Sequence, residues 1–167
     1  TDYTAVRRLV QEVAVQPSSA LVHGSGGMAK AVVAALHDSG IATITVLSRN
    51  EGAGRALAEK YGAAWLPRAE GAAAELLVNA TPVGMAGGPD AEANPFPDAL
   101  LDRAHAVLDV VAVPAETPLI RAAVARGIRV MTGVEVAALQ AADQFELYTG
   151  VRPTVEQVRR AAEFSRS

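Results

Sequence analysis

The stretch from Ala20 to Leu36 constrains the fold of this chain most, because it predicts a strand, a tight turn and a helix in immediate succession. Gly24 gives the turn its backbone freedom, and Gly26 lacks a Cβ atom, so that the backbone can approach a diphosphate closely. Ala29 is small enough for the helix to pack near the strand. The start of the helix then offers unpaired N–H groups to a phosphate. The pattern favours a dinucleotide-binding turn over the alternative, an ordinary glycine-rich connection.

The composition is that of an ordinary globular domain, and it excludes several functions. The chain has 167 residues, of which 50% are apolar and 20% are charged. A net charge of −3 without blocks of like charge gives no support for binding nucleic acid or a membrane surface. The lack of cysteine excludes disulfides and thiolate zinc sites. Since no signal peptide or apolar run of about 18 residues is present, we expect a cytoplasmic protein.

The histidines give no indication of a metal centre. His23, His37 and His105 are scattered along the chain. None of them has a carboxylate or a second histidine at a spacing typical of metal ligands. We therefore expect structural or surface roles for all three and no bound metal.

Strands and helices alternate along the chain, which predicts an α/β fold. The spacing favours a Rossmann-type, doubly wound and mainly parallel sheet of about six strands with flanking helices. The predicted strands cover residues 20–22, 43–47, 63–66, 75–79, 105–111 and 128–131. The predicted helices cover residues 3–15, 27–37, 52–61, 117–126, 133–148 and 155–164.

The first and last helices lie outside the pattern of the sheet. Each carries an apolar stripe, which is typical of a helix that buries one face. These stripes could cover a second domain, or they could pack on this domain's own sheet, and the pattern alone favours neither. The stripes consist of Val6, Leu9, Val10 and Val13 in the first helix and of Val155, Val158 and Ala162 in the last.

The residues that follow the second predicted strand bear on the choice of cofactor. Many NAD-binding folds carry an acidic residue at this point, where it holds the ribose 2′-hydroxyl. Here the sequence has Ser48, Arg49 and Asn50 instead. A guanidinium without an acid favours the 2′-phosphate of NADP. The alternative is a solvated surface arginine.

A second polar group follows the strand at residues 75–79. Asn79 and Thr81 lie at the carboxyl end of a predicted parallel strand. Ligands of open α/β sheets bind at such strand ends. The side chains of Asn79 and Thr81 could bind a ribose or a nicotinamide, although Asn79 and Pro82 are also ordinary turn formers. The long stretch to Pro97 has no periodicity, which indicates a functional loop.

Several of these motifs together resemble the shikimate dehydrogenase family. The run NATPVGM at Asn79–Met85 and the helix that ends in FELYTG are specific to it, and GSGGMAKAVVAAL and QFELYTGVRP are similar to its shikimate dehydrogenase-like branch. The resemblance extends over the whole chain but covers only the cofactor-binding half of the family's members. It is carried by Thr1-Asp2-Tyr3, Gly24–Ala29, Ser48-Arg49-Asn50, Asn79–Met85, Asp109–Leu119 and Gly133–Ala142.

The resemblance implies a reversible, NADP-dependent reduction of 3-dehydroshikimate to shikimate, in aromatic amino acid biosynthesis. In that family a lysine and an aspartate handle the proton at the reacting hydroxyl while hydride passes to or from the nicotinamide. Asp2 matches this catalytic, substrate-binding aspartate, and Gln140 matches a substrate contact. The implied cofactor contacts are Gly24, Ser25, Gly26, Gly27 and Met28 for the diphosphate, Ser48, Arg49 and Asn50 for the ribose phosphate, Thr81 near the cofactor, and Val110 and Gly133 near the nicotinamide.

The resemblance also implies three segments. We expect residues 1–17 to form a linker helix from an amino-terminal substrate domain that this sequence lacks, residues 18–150 to form the NADP-binding Rossmann domain, and residues 151–167 to form a carboxyl-terminal helix. The family's catalytic lysine belongs to the missing domain. The chain alone is therefore expected to bind cofactor weakly and to catalyse little.

Two departures from the family's pattern leave other functions open. Ala112 replaces a tyrosine that contacts the substrate, which keeps a related quinate or aminoshikimate dehydrogenase as an alternative. Ala53 replaces a basic residue near the 2′-phosphate, which weakens the preference for NADP unless Arg55 compensates. A non-catalytic nucleotide-binding module is a further alternative, against which the intact Asp2 and Gln140 argue.

Overall fold

A computed structural model of the chain describes residues 1–164 and contains one parallel sheet of six strands. The strand order is β3-β2-β1-β4-β5-β6, so the predicted doubly wound, Rossmann-type α/β fold is confirmed. The strands are β1 (Ser19–His23), β2 (Thr43–Leu47), β3 (Ala64–Leu66), β4 (Leu76–Asn79), β5 (Ala106–Asp109) and β6 (Arg129–Met131). The helices are α1 (Asp2–Gln11), α2 (Gly27–Asp38), α3 (Glu51–Lys60), α4 (Asp98–Leu101), α5 (Pro118–Ala125), α6 (Gly133–Thr149) and α7 (Val155–Phe164).

The register aligns the carboxyl ends of the four central strands. His23 pairs with Leu47 of β2 and with Asn79 of β4, and Asn79 pairs with Asp109 of β5. The residues that follow these strand ends therefore lie side by side along one edge of the sheet, which we call the carboxyl edge. Between β1 and β4 the chain changes direction through the sheet, and such a switch point is where ligands bind in open α/β sheets.

Alternate residues of the strands pack into two apolar layers. In β1, Ala20 and Val22 face the layer that contains α1, α2 and α6, while Leu21 faces the layer that contains α4 and α5. Both faces of the sheet are covered by helices, as expected for a parallel sheet with apolar runs such as LLV in β4.

The two outlying helices behave differently. Helix α1 buries Val6, Leu9 and Val10 in the core of this domain, so its apolar stripe packs on the domain's own layers. Helix α7 lies against α6, and Val155 at the start of its stripe is 73% exposed. The side chain of Ala162 and residues 165–167, which the sequence analysis places in the carboxyl-terminal segment, lie outside the described part of the chain.

Two element ends and one short helix differ clearly from the sequence-based expectation, for local reasons. Helix α1 ends at Gln11 instead of Val15, because the side-chain amide of Gln16 donates to the carbonyls of Val10, Gln11 and Val13 and ends the helix there. Strand β5 ends at Asp109, whose carboxylate accepts the Val111 N–H. The four-residue helix α4 was not predicted, since one turn is too short to show a periodicity.

The loop between β4 and α4 is a series of turns fixed to the body of the domain. The Ala86 N–H donates to the Val113 carbonyl at 2.9 Å, and the Gly84 N–H donates to the Asp90 carbonyl at 3.0 Å. At its far end Phe96 is buried, with 2% of its surface exposed. In residues 1–164 no helix has both the length and the apolar character that crossing a membrane requires.

Gly54 allows α3 to approach β3 closely, which yields a test of the packing at this edge. We expect Gly54→Ala to lower the free energy of unfolding by about 1–3 kcal/mol, because its methyl group would overlap Ser48 Oγ and Trp65 Nε1. The control is Gly52→Ala on the same helix, whose Cβ would lie 3.8 Å from Asn50 Oδ1. It should stabilise the chain by about 0.5–1 kcal/mol through helix propensity. Urea unfolding of the three proteins measures both effects, and equal stabilities would contradict the packing described.

Candidate cofactor-binding site

The glycine turn after β1 packs directly against the end of β4. Gly24 has φ +127°, a conformation that L side chains rarely adopt, and its N–H donates to the Leu47 carbonyl at 2.9 Å. A Cβ at Gly24 would lie 2.8 Å from the Ala80 oxygen and 3.3 Å from Thr81 Cγ2. The turn can therefore be tight only with glycine at this position, and it brings the start of α2 to the switch point.

The start of α2 is open to solvent. Gly26 is the N-cap residue and supplies no side-chain hydrogen bond. Gly26 and Gly27 are exposed, and a Cβ at either position would meet nothing within 4 Å. Ser25 and Met28 are partly exposed, while Ala29 is buried against the core. The first N–H groups of α2 are thus accessible to an anion, and the helix dipole favours a negative charge there.

The three residues after β2 have separate roles. Ser48 is 5% exposed, and its hydroxyl donates to the Asn50 carbonyl at 3.0 Å and accepts the Trp65 indole N–H at 3.2 Å. Asn50 is the N-cap of α3 and accepts the Ala53 N–H at 3.0 Å. Arg49, between them, is exposed and forms no ion pair within residues 1–164. Of the three, Arg49 has the side chain that is free to meet a ligand.

A buried polar network connects the ends of β4 and β5. The Asn79 side-chain amide donates to Asp109 Oδ1 and to the Val83 carbonyl, each at 3.0 Å. Its oxygen accepts the Thr81 hydroxyl at 2.6 Å and the Thr81 N–H at 3.1 Å. Asn79 is fully buried and uses all its donors and acceptors, so its own role is to shape the turn that carries Thr81.

Asp109 is the centre of this network. Its carboxylate accepts hydrogen bonds from the Asn79 amide, from the Val111 N–H at 3.0 Å and from the Thr117 hydroxyl at 2.6 Å. Burial raises the pKa of Asp109, and the three donated hydrogen bonds oppose this shift. Thr117 in turn caps α5 by accepting the Ile120 N–H. From the sequence, Asp109 was expected only as part of a family motif. Its signal in the sequence is an acidic residue that ends an apolar strand eight positions before the N-cap threonine of the next helix.

His23 lies at the carboxyl edge beside the glycine turn. Its ring packs against Phe96, with 6.0 Å between the ring centroids, and its Nδ1 is buried with no hydrogen-bond partner in the described chain. Burial and the nearby positive charge of Arg49 lower the pKa of His23. The neutral ring is therefore favoured, and the structural or surface role expected for His23 stays a prediction.

The residues expected near the nicotinamide lie in contact with one another. A Cβ at Gly133 would overlap the carbonyl oxygens of Val110 and Val111, so the start of α6 can approach the end of β5 only with glycine there. Gly133 is buried and Val110 is partly exposed. Both belong to the same carboxyl edge as the glycine turn.

The two residues expected at the substrate are also brought together, although they are 138 positions apart. The Gln140 side-chain amide donates to Asp2 Oδ1, and both residues are partly buried. Gly133, Val136 and Gln140 share one face of α6. Gln140 therefore lies about 10 Å along the helix axis from Gly133.

The structure thus groups the expected site residues into two sets, the cofactor residues along the carboxyl edge and the pair of Asp2 and Gln140 further along α6. Their contacts with ligands stay predictions. Among residues 1–164 no group of three or more histidine or acidic side chains could hold a metal ion.

The sheet order and the glycine turn at the switch point define a Rossmann-type α/β domain. No protein-family model matches the chain. A shikimate dehydrogenase-like protein of Haemophilus influenzae, however, is 45% identical over an alignment of 168 positions, which covers 100% of this chain and 62% of that protein. Over its whole length the chain is similar to the carboxyl-terminal part of proteins of the shikimate dehydrogenase family.

Two solved structures resemble the chain. A quinate dehydrogenase from Corynebacterium glutamicum in complex with NAD has a TM-score of 0.85 and 32% identity, and the match covers 99% of this chain and 62% of that one. A shikimate 5-dehydrogenase from Thermus thermophilus in complex with NADP(H) and shikimate has a TM-score of 0.81 and 34% identity, with 98% and 62% covered. The chain therefore spans about 62% of the length of these relatives.

The network around Asp109 can be tested through Thr117. We expect Thr117→Val to lower the free energy of unfolding by about 2–4 kcal/mol, because it removes a helix cap and a donor to a buried carboxylate together. Thr154→Val is the matched control, since Thr154 caps α7 at the surface; it should cost about 1 kcal/mol or less. Equal losses in chemical denaturation would show that the hydrogen bond to Asp109 contributes nothing.

Proposed function

We propose that this chain is the NADP-binding part of a shikimate dehydrogenase-type oxidoreductase, which reversibly reduces 3-dehydroshikimate to shikimate. The observation that carries the proposal is the open helix start at Gly26 and Gly27, placed at the switch point beside the exposed Arg49. This arrangement offers backbone donors to a diphosphate and a free guanidinium to a 2′-phosphate. Similar structures that hold NAD or NADP(H) support it.

In this proposal the cofactor lies along the carboxyl edge. The turn from Gly24 to Met28 binds the diphosphate, and Arg49 binds the phosphate on the adenosine ribose. Ser48 and Asn50 shape the loop that presents Arg49, since both side chains are already hydrogen bonded within the chain. Thr81, Val110 and Gly133 line the path to the nicotinamide, which supplies or accepts a hydride when the cofactor is bound.

We assign the proton chemistry to Asp2 and the orientation of the substrate to Gln140. A carboxylate beside the reacting hydroxyl can hold or accept its proton, and a neighbouring amide can donate to another substrate oxygen. The hydrogen bond from Gln140 to Asp2 leaves the second carboxylate oxygen of Asp2 for the substrate. In the family the partner of this aspartate is a lysine from the substrate domain.

We further propose that residues 1–17 lead from a substrate domain, that residues 18–150 form the NADP-binding domain, and that residues 151–167 form a terminal segment that docks on the substrate domain. A groove of about 950 Å³ lies between residues 112–115, the outer face of α6 and α7. Its lining is mostly apolar, and Phe145 within it is 50% exposed. The additional length of the relatives supports a domain that covers this groove.

The substrate could differ from shikimate. Ala112 lines the groove, where the family has a tyrosine that contacts the substrate, and one of the similar structures is a quinate dehydrogenase. A quinate or aminoshikimate dehydrogenase is therefore the second candidate, and turnover of each substrate by the protein with its substrate domain decides between them. A non-catalytic nucleotide-binding module would bind cofactor without any turnover, and the paired Asp2 and Gln140 favour catalysis over it.

Calorimetric titration of the chain with NADPH and with NADH tests the cofactor assignment. We expect Arg49→Ala to weaken NADPH binding about tenfold, because a charge-assisted contact with the 2′-phosphate is lost, and to change NADH binding less than about twofold. Arg129→Ala is the matched control, since Arg129 is an exposed arginine at the opposite end of the strands. If neither nucleotide binds, or if Arg49→Ala weakens both equally, the phosphate assignment is wrong.

A further inference from the structure

We propose that Glu51 limits the preference of this chain for NADP(H) over NAD(H). Its carboxylate neutralises the positive charge of Arg55, so that Arg49 alone offers positive charge to the 2′-phosphate. Glu51 would thus be a selectivity residue of the cofactor site. The inference rests on the proposed cofactor binding at the carboxyl edge.

The position of Glu51 is fixed by the start of α3. It is the first residue of this helix and follows directly on Asn50, the N-cap, and on Arg49. One helical turn later, Arg55 donates from Nε to Glu51 Oε1 at 2.8 Å. The side chain of Glu51 is 64% exposed and that of Arg55 is 62% exposed, so the pair lies at the surface beside the expected phosphate site.

Arg55 is held from a second side by Trp65. The guanidinium carbon lies 4.4 Å from the centroid of the indole ring, which is a cation–π contact. The indole is itself held, since its N–H donates to Ser48 Oγ at 3.2 Å. Ser48 also donates to the Asn50 carbonyl, so the Trp65 ring that contacts Arg55 is connected to the same loop that carries Arg49.

These contacts change the charge that a 2′-phosphate meets. Without Glu51, two guanidinium groups would be available at the start of α3. With it, the charges of Arg55 and Glu51 cancel, and Arg49 supplies one net positive charge to a dianionic phosphate. A carboxylate at this position can also accept a hydrogen bond from the free ribose 2′-hydroxyl of NAD(H), the interaction that acidic residues provide in NAD-binding folds. Both effects reduce the advantage of NADP(H).

The simplest other explanation is that Glu51 only stabilises α3, because an acid in the first turn interacts favourably with the helix dipole. In that case its removal would change the thermal stability and leave nucleotide selectivity unaffected. The two explanations therefore differ in the ratio of the two dissociation constants.

The test is titration of the chain with NADPH and with NADH by calorimetry, before and after Glu51→Gln. We expect the dissociation constant for NADPH to fall about three- to tenfold at low salt, and that for NADH to stay constant or to rise by up to about twofold. Glu59→Gln is the matched control, since it removes an exposed carboxylate two turns further along α3 and should change neither constant. Thermal unfolding of each variant confirms that it is folded.

The role of Arg55 is tested by repeating the substitution in an Arg55→Ala background. The gain in NADPH affinity should then fall below about twofold, because the released guanidinium is absent. A gain of undiminished size would show that Glu51 acts on the phosphate without Arg55 and would overturn the proposed coupling.

An unchanged ratio of NADPH to NADH affinity in Glu51→Gln would overturn the selectivity proposal. If the unsubstituted chain binds neither nucleotide, the proposed cofactor binding at the carboxyl edge, on which the role of Glu51 rests, is wrong.

Discussion

Asp109 is a fully buried carboxylate that accepts hydrogen bonds from three segments of the chain: the end of β4, the backbone after β5 and the N-cap of α5. Each bond offsets part of the free energy that is lost when a charge leaves water. Because the donors come from neighbouring elements, the network fixes the relative positions of the turn at Asn79, the loop after β5 and the start of α5. The carboxyl edge is thus shaped from inside the domain.

Close backbone approaches complete this edge. Gly24 brings the start of α2 against the end of β4, and Gly133 brings the start of α6 against the end of β5. In both places a side chain would collide with a carbonyl oxygen, so the geometry depends on the lack of a Cβ atom. The result is a row of accessible backbone and polar groups at the switch point, and α6 extends from there to the pair formed by Gln140 and Asp2. In the proposed function this geometry sets the distance between hydride transfer and proton transfer.

The sequence predicted the elements whose signals are local. Strand β2 was placed at residues 43–47 and the last helix at residues 155–164, both as observed. It could not predict features that depend on contacts distant in sequence. The hydrogen bond between Trp65 and Ser48 spans 17 positions, and that between Gln140 and Asp2 spans 138. Neither contact produces a periodic pattern in the sequence. Arg55 was considered as a further phosphate ligand, whereas the structure pairs it with Glu51, four residues earlier on the same helix, and places it over the ring of Trp65.

The central claim is that a dinucleotide binds along the carboxyl edge, and amide hydrogen exchange of the chain with and without saturating NADPH tests it most directly. The account predicts slower exchange in residues 24–29, 49–51, 81–84 and 110–111, with no change at the opposite edge, in residues 40–43 and 72–75. The amides at the start of α2 should show the largest protection, because they would donate to the diphosphate. Protection confined to the opposite edge or to the groove between α6 and α7 would contradict the account.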